Sequence, residues 1–192
     1  MTSPSRWLAY VVPSLTELLA GYRPEGAAET ADVDRLAGLV RAEPDLWSRA
    51  VPLHVTASAL VVHPATGRVL LRWHQRQQAW LQVGGHADPG ESDPLAIALR
   101  EAEEETGLTD LTPWPDAELR HLAIVSVPAS AARGEPAHEH ADLRFVFATA
   151  EPDAVRPENP DAPLRWLTVA EAEQLTAEDN LRETLRRVRL SA

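Results

Sequence analysis

The residues best placed to do chemistry lie between Gly84 and Leu108, where the chain reads GGHADPGESDPLAIALREAEEETGL. Glu101, Glu104 and Glu105 fall at i, i+3 and i+4, so a helix here sets three carboxylates on one face. Like charges this close repel and raise one another's proton affinity unless a counter-charge intervenes. A hard divalent cation, which prefers carboxylate oxygen, is the counter-charge that fits. Arg100 stands four residues before Glu104 and can orient it through a charged hydrogen bond. The opposite side of the helix, with Leu95, Ala98, Leu99 and Ala102, is apolar and small enough to pack on a sheet. Ahead of it, Gly84 and Gly85 leave the backbone bare, so their carbonyls could approach a metal or phosphate and add oxygen ligands. A Glu-rich helix alone is more simply a solvated acidic face. The glycine pair, Glu91 in the loop and the closing Gly107 and Leu108, all in one stretch, favour chemistry.

A second group lies at residues 138–144. On a strand, His138, His140, Asp142 and Arg144 share one face and Glu139 points the other way. Those histidines could ligate metal or touch phosphate, and Arg144 could bind an anionic substrate; a polar, water-facing strand fits equally well. His86, next to the glycine pair, is placed to face the same cleft, and His74 and Gln82 lie on segments entering it. Each alone is more simply a structural polar residue. Trp80 could stack on a base, although core packing is its more economical role.

These groups need a scaffold, and 192 residues make one domain with modest elaborations. Residues 5–50 read as helical: Ser14 caps 15–20, Gly21 stops it, Thr30 or Asp32 starts a second helix through Leu36, Leu39 and Val40, and Pro44 begins a third piece. The pattern then changes to a strand over 53–63, a turn over 64–67, a return strand over 68–73, a loop over 74–79 and a short strand over 80–83. Residues 84–91 read as loop; Asp93 or Ser92 caps a helix with Pro94 in its first turn, running to Thr106 and stopped by Gly107. Further strands are expected over 119–127, 143–149 and 164–167, a helix capped by Thr168 runs to Leu175, and a last helix covers 181–190. The class is α/β, of the α+β kind.

Composition excludes several functions. The net charge is −11, which disfavours binding to duplex nucleic acid. All 18 basic residues are arginine, which a GC-rich genome explains without any binding role. With no cysteine, disulfides, thiolate zinc sites and cysteine nucleophiles are ruled out. No apolar run and no amino-terminal signal pattern point to a membrane or to secretion, so the expected location is cytoplasmic. An anionic substrate would need cations between itself and the carboxylates.

The 84–108 segment resembles the Nudix box, G-x5-E-x7-R-E-U-x-E-E-x-G-U with U aliphatic, through Gly85, Glu91, Arg100, Glu101, Glu104, Glu105, Gly107 and Leu108. Ala102 fills the first U with a smaller residue, and eight residues rather than seven separate Glu91 from Arg100. The extra residue falls around Ser92 to Pro94, so the helix glutamates carry the expectation more than Glu91 does. The resemblance implies a Nudix fold over 51–192, a mixed β-sheet sandwiched between helices, behind a helical N-terminal extension over 1–50. It implies a hydrolase that uses metal-activated water to cleave the diphosphate linkage of a nucleoside diphosphate joined to another moiety X. Mg²⁺ or Mn²⁺ would sit on Glu101, Glu104 and Glu105 with help from Gly84 and Gly85, and Arg100 and Glu91 would complete the catalytic set. Arg144, His86, His140 and Trp80 would contact the small, nucleotide-derived substrate, and the extension could form a homodimer interface or cap the cleft. Two alternatives share the fold: a non-catalytic nucleotide-binding domain, and an isopentenyl diphosphate isomerase, whose catalytic cysteine is missing here. Marker residues of the ADP-ribose, diadenosine and coenzyme A types are absent too: position 123 is Ala, and no tyrosine lies between Leu108 and Ala150.

Overall fold

The computed structural model describes residues 13–190, apart from 44, 132, 133 and 189. Its centre is β1 (Leu53–His63), which runs parallel to β7 (His138–Ala148) and antiparallel to both β2 (Arg68–His74) and β4 (Val83–His86). β2 also pairs with β3 (Ala79–Leu81) and β8 (Leu164–Thr168), and β7 with β5 (Thr112–Pro113) and β6 (His121–Val127). The result is a mixed sheet with helices on both sides. α1 (Leu15–Gly21), α2 (Gly26–Val40) and α3 (Pro94–Thr106) contribute to one core; α4 (Val169–Leu175) and α5 (Asp179–Arg187) contribute to the other.

The alternation of β1 explains both cores. Leu53, Val55, Ala57, Ala59 and Val61 join Leu36 of α2, Ile97, Ala98 and Ala102 of α3, and Phe145 and Phe147 of β7. Leu60 and Val62 face the other way and meet Val69, Leu71, Leu181 and Leu185. A strand covered on both faces needs apolar residues at successive positions, which is what this sequence supplies. The exceptions are His54, Thr56 and Ser58, all buried, which carry polarity into one end of the second face. In the parallel register they lie beside His140, Asp142 and Arg144. One end of the β1–β7 pair is therefore polar, and that end positions the site.

Several boundaries differ from the sequence reading. α2 starts at Gly26, ahead of both expected caps. The Thr30 hydroxyl donates back to the Gly26 carbonyl inside the helix, and the Asp32 carboxylate leaves the helix to accept the Ile124 N–H at 2.9 Å. Glu29 likewise accepts the Leu122 N–H at 3.0 Å, so α2 satisfies amides along β6. Gly84 and Gly85 belong to β4 rather than to a loop and pair with Ser58 and Ala57. Gly84 has φ 150°, and a Cβ there would fall 2.6 Å from the Ser58 backbone, so only glycine lets the strands close. β7 begins at His138, five residues before the expected start, because its first residues are polar but still pair with β6. Residues 45–50 form turns, not a third helix; Pro44 and residues 5–12 lie outside the described residues.

Candidate functional site

The acidic helix is α3. The Asp93 carboxylate accepts the Leu95 N–H at 3.0 Å, Pro94 opens the first turn, and Gly107 closes the helix at φ 69°. Ser92 is not the cap, and the one-residue insertion is absorbed before the helix begins. Glu91 still reaches Arg100, accepting two hydrogen bonds at 3.1 and 2.9 Å. Arg100 also donates to Glu101 at 2.9 Å, to Glu104 at 3.1 Å and to the His86 carbonyl at 2.9 Å. One guanidinium thus ties the loop, the β4 end and the carboxylate face together.

Glu105 lies on the other flank. It pairs with Arg72 of β2 at 3.0 Å and accepts the Gly84 N–H at 3.1 Å. Gly85 is where the helix meets the strand: a Cβ there would lie 2.6 Å from the Glu101 carboxylate. Burial raises the proton affinity of Glu101 despite Arg100, with Glu104 and Asp88 adding to the rise. Burial pushes Glu105 up to about 7, although Arg72 and the Gly84 amide pull it down. Glu91, by contrast, is held below the usual carboxylate range by its hydrogen bonds from Arg100. The two arginines therefore compensate the α3 carboxylates only in part. Glu101 and Glu105, still short of positive charge beside bare glycine backbone, fit a hard divalent cation, with Glu104 on the same face.

The glycine wall borders a cleft of about 420 Å³. Arg49, Arg72, Arg76 and Arg144 line it together with Glu135, Asp142 and Glu178, and Arg76 and Arg144 are paired with the first two of these acids. Its floor is Asp142, buried and accepting hydrogen bonds from Thr56 (3.2 Å), Ser58 (2.6 Å), Gln82 (3.1 Å) and Arg144 (2.8 Å). Burial opposes the Asp142 charge, yet Arg144 and Ser58 keep its pKa low. Arg72 Nε and Gln82 Oε1 are buried without a hydrogen-bond partner among the described residues.

The expected substrate contacts divide. His86 and His140 line the cleft. Burial and neighbouring histidines lower His86 to about 3 and His140 to about 4, so both rings are neutral at pH 7. Arg144 also borders the cleft, but its donors are committed to Asp142, to Thr184 at 3.0 Å and to Asn180 at 2.8 Å. With three of its five N–H groups so engaged, it organises the floor. Trp80 is not among the cleft-lining residues; it packs edge-on against Trp73 at 5.7 Å and onto the second core. The stacking role gives way to the packing one. Glu139 points away as expected and pairs with Arg35.

Arg72, Arg49, Arg76 and His54 were missed in the sequence. Arg72 left a faint signal as the lone charge at the end of the apolar run from Val69 to Leu71. His54 left none, since a histidine inside a strand is usually structural.

A family model described as the NUDIX domain matches residues 52–188. A Lactococcus lactis subsp. cremoris (strain MG1363) protein called Probable DHNTP pyrophosphohydrolase is 31% identical over 108 residues, 56% of this chain. The match spans 61% of that relative's length. Among solved structures, the C. elegans Ap4A hydrolase aligns with a TM-score of 0.53 at 21% identity, over 69% of this chain and 93% of that one. The E. coli dihydroneopterin triphosphate pyrophosphohydrolase aligns with a TM-score of 0.54 at 20% identity, over 69% and 92%. At such identities the structural likeness is one of fold. The family match covers well over half of the chain and includes the whole of α3, and on that ground this protein belongs to the NUDIX family.

Proposed function

We propose that the protein is a diphosphohydrolase that cleaves a nucleoside diphosphate linked to another moiety X. The observation that carries this reading is the partly compensated carboxylate face of α3, set behind the glycine wall of an arginine-lined cleft. Glu101, Glu104 and Glu105, with the Gly84 and Gly85 carbonyls, would hold Mg²⁺ or Mn²⁺, which supplies charge neutralisation of the diphosphate and acidification of the attacking water. The protein's own groups set the geometry. Arg100 fixes Glu91, Glu101 and Glu104 relative to one another. Arg72 holds Glu105 at the wall of the cleft, which it also lines.

The relatives named for dihydroneopterin triphosphate and Ap4A support a small, nucleotide-derived substrate. The missing tyrosine after the box weighs against a diadenosine substrate for this chain. We place the enzyme in the cytoplasm and divide the chain into residues 1–50, whose α1 and α2 join the core of the sheet, and a hydrolase unit over 51–192. The extension would serve as a dimer interface or as a cover for the sheet.

The test is turnover of nucleotides, nucleotide sugars, dinucleotides and pterin triphosphates with Mg²⁺ and with Mn²⁺, following phosphate, pyrophosphate or monophosphate release. At least one substrate is hydrolysed, and a chelator abolishes the activity. Glu104→Gln lowers kcat by about 100-fold or more, several kcal/mol of lost stabilisation, while the fold stays intact. Activity that persists in that variant or with chelator sinks the assignment. Saturable nucleotide binding without any turnover would favour the non-catalytic reading.

A further inference from the structure

The carboxylate site leaves a second chemical cluster unused. Four of the seven histidines, His54, His86, His138 and His140, converge at the polar end of the β1–β7 pair. They come from three strands: the parallel register sets His54 beside His140, and the β1–β4 pairing brings His86 next to them. His54 Nε2 and His86 Nε2 are 3.0 Å apart, and His138 Nε2 and His140 Nε2 are 3.2 Å apart. The ligating nitrogens of His54, His138 and His140 lie within 4.8 Å of one another. Four nitrogens at 2.0–2.1 Å around a tetrahedral ion are separated by about 3.3 Å, close to the two shorter contacts, and an ion would draw the wider His54, His138 and His140 spread inward.

The outer nitrogens decide which tautomers are present. His54 Nδ1 lies 2.8 Å from the Val51 carbonyl, and His138 Nδ1 lies 3.0 Å from the Pro136 carbonyl. A carbonyl can only accept, so in each neutral ring Nδ1 carries the hydrogen and Nε2 keeps a bare lone pair. Those two Nε2 atoms are the ones inside the cluster. An imidazole whose outer N–H is anchored on a backbone carbonyl, with its inner lone pair free, is the arrangement metal-bound histidines adopt. The metal-free alternative is two imidazole hydrogen bonds, from His86 to His54 and from His140 to His138.

We infer that His54, His138 and His140, with His86 as fourth ligand, form a transition-metal site distinct from the carboxylate site of α3. Neutral imidazoles select a borderline ion such as Zn²⁺, whereas the α3 carboxylates favour Mg²⁺ or Mn²⁺, so the two sites would discriminate by ligand chemistry. The ion would tie β1, β4 and β7 together at the rim of the cleft. Because His86 directly follows Gly85, it would also steady the glycine wall. The inference does not depend on the hydrolase reading, since it uses none of the α3 glutamates.

The experiment uses untagged full-length protein stripped of metal. Zn²⁺ binding is measured by equilibrium dialysis, and Co²⁺ is added as a spectroscopic probe of geometry. The expected result is one tightly bound Zn²⁺ per chain and the intense visible absorption of tetrahedral Co²⁺, both retained when Glu101→Gln and Glu104→Gln are combined. In His138→Gln, at the half-exposed start of β7, Zn²⁺ affinity falls by about 100-fold or more, and the Zn²⁺-induced rise in melting temperature disappears. Wild-type protein that gives no tetrahedral Co²⁺ spectrum overturns the site, whatever the variants do. So does a spectrum that survives His138→Gln, or one lost with the carboxylates.

Discussion

Glu29 on α2 and Glu105 on α3 are both largely withdrawn from water beside an arginine, yet their proton affinities move in opposite directions. Glu29 accepts hydrogen bonds from both Arg187 terminal nitrogens at 2.9 and 3.0 Å, from the Leu122 and Glu25 amides and from the Tyr22 hydroxyl. Burial works against its charge, but these donors hold it at about 2. Glu105 has one arginine contact and one amide, with Glu101 and Glu158 nearby as like charges, and rises to about 7. The same side chain is saturated in one place and left short in the other. Where all its partners are protein groups, a buried carboxylate holds elements together; where they are too few, it has capacity left for a cation. Tyr22, whose ionisation the Glu29 charge and burial suppress, stays a donor and belongs to the saturated set.

This contrast can be broken or sharpened by substitution. The largest stability effect is expected at the saturated site. Glu29→Ala leaves Arg187 buried without its main counter-charge and costs about 3–5 kcal/mol in urea or thermal unfolding. A loss under about 1 kcal/mol would show that the network is not the clasp described here.

The pH dependence follows from the same group. The Glu29 pKa is depressed, so its contribution is fully present above the unfolded value and is lost as pH falls from about 4.5 towards about 2. An acid titration of stability should steepen across that window in the wild type and flatten in Glu29→Gln. Parallel curves would deny Glu29 its role.

Glu105 should behave in reverse. Its raised pKa means that between about 4.5 and 7 the folded state holds a proton the unfolded chain has released, so its contribution weakens as pH rises through that range. Metal-free Glu105→Gln at pH 8 is therefore expected to melt about 2–4 °C higher than the wild type, the shift of roughly 1 kcal/mol in a chain of this size. The same variant should lose stabilisation by Mg²⁺ or Mn²⁺. A lower melting temperature would mean that Arg72 compensates Glu105 fully. The smallest effect belongs to the surface: Arg35→Ala removes a half-exposed partner of Glu139 and should change stability by no more than about 1 kcal/mol.

Legibility in the sequence followed the range of each interaction. α3 could be read almost to the residue because its cap, its proline, its i, i+3, i+4 carboxylates and its closing glycine are all local signals. β1 and β8 were equally clear from composition and turn residues. The start of α2 is hidden in the sequence because Thr30 and Asp32 look like caps, while Asp32 is used by a strand 92 residues away. Gly84 and Gly85 looked like loop because glycine is ordinarily a poor strand residue, and only the close approach of Ser58 and of Glu101 explains their place in β4.

By itself the sequence determined the carboxylate face, its apolar back, the arginine four residues ahead of Glu104 and the absence of any thiol chemistry. These depend on helical periodicity and composition, which need no knowledge of distant partners. The tertiary structure decided which carboxylates remain short of charge, that Arg72 rather than Arg100 meets Glu105, that Arg144 is tied to the cleft floor, and that His54, His138 and His140 gather in one cluster with His86 beside His54. Proton affinity and ligand geometry are set by burial and by neighbours brought in across β1, β4 and β7, and strand register carries that information only after the sheet has formed.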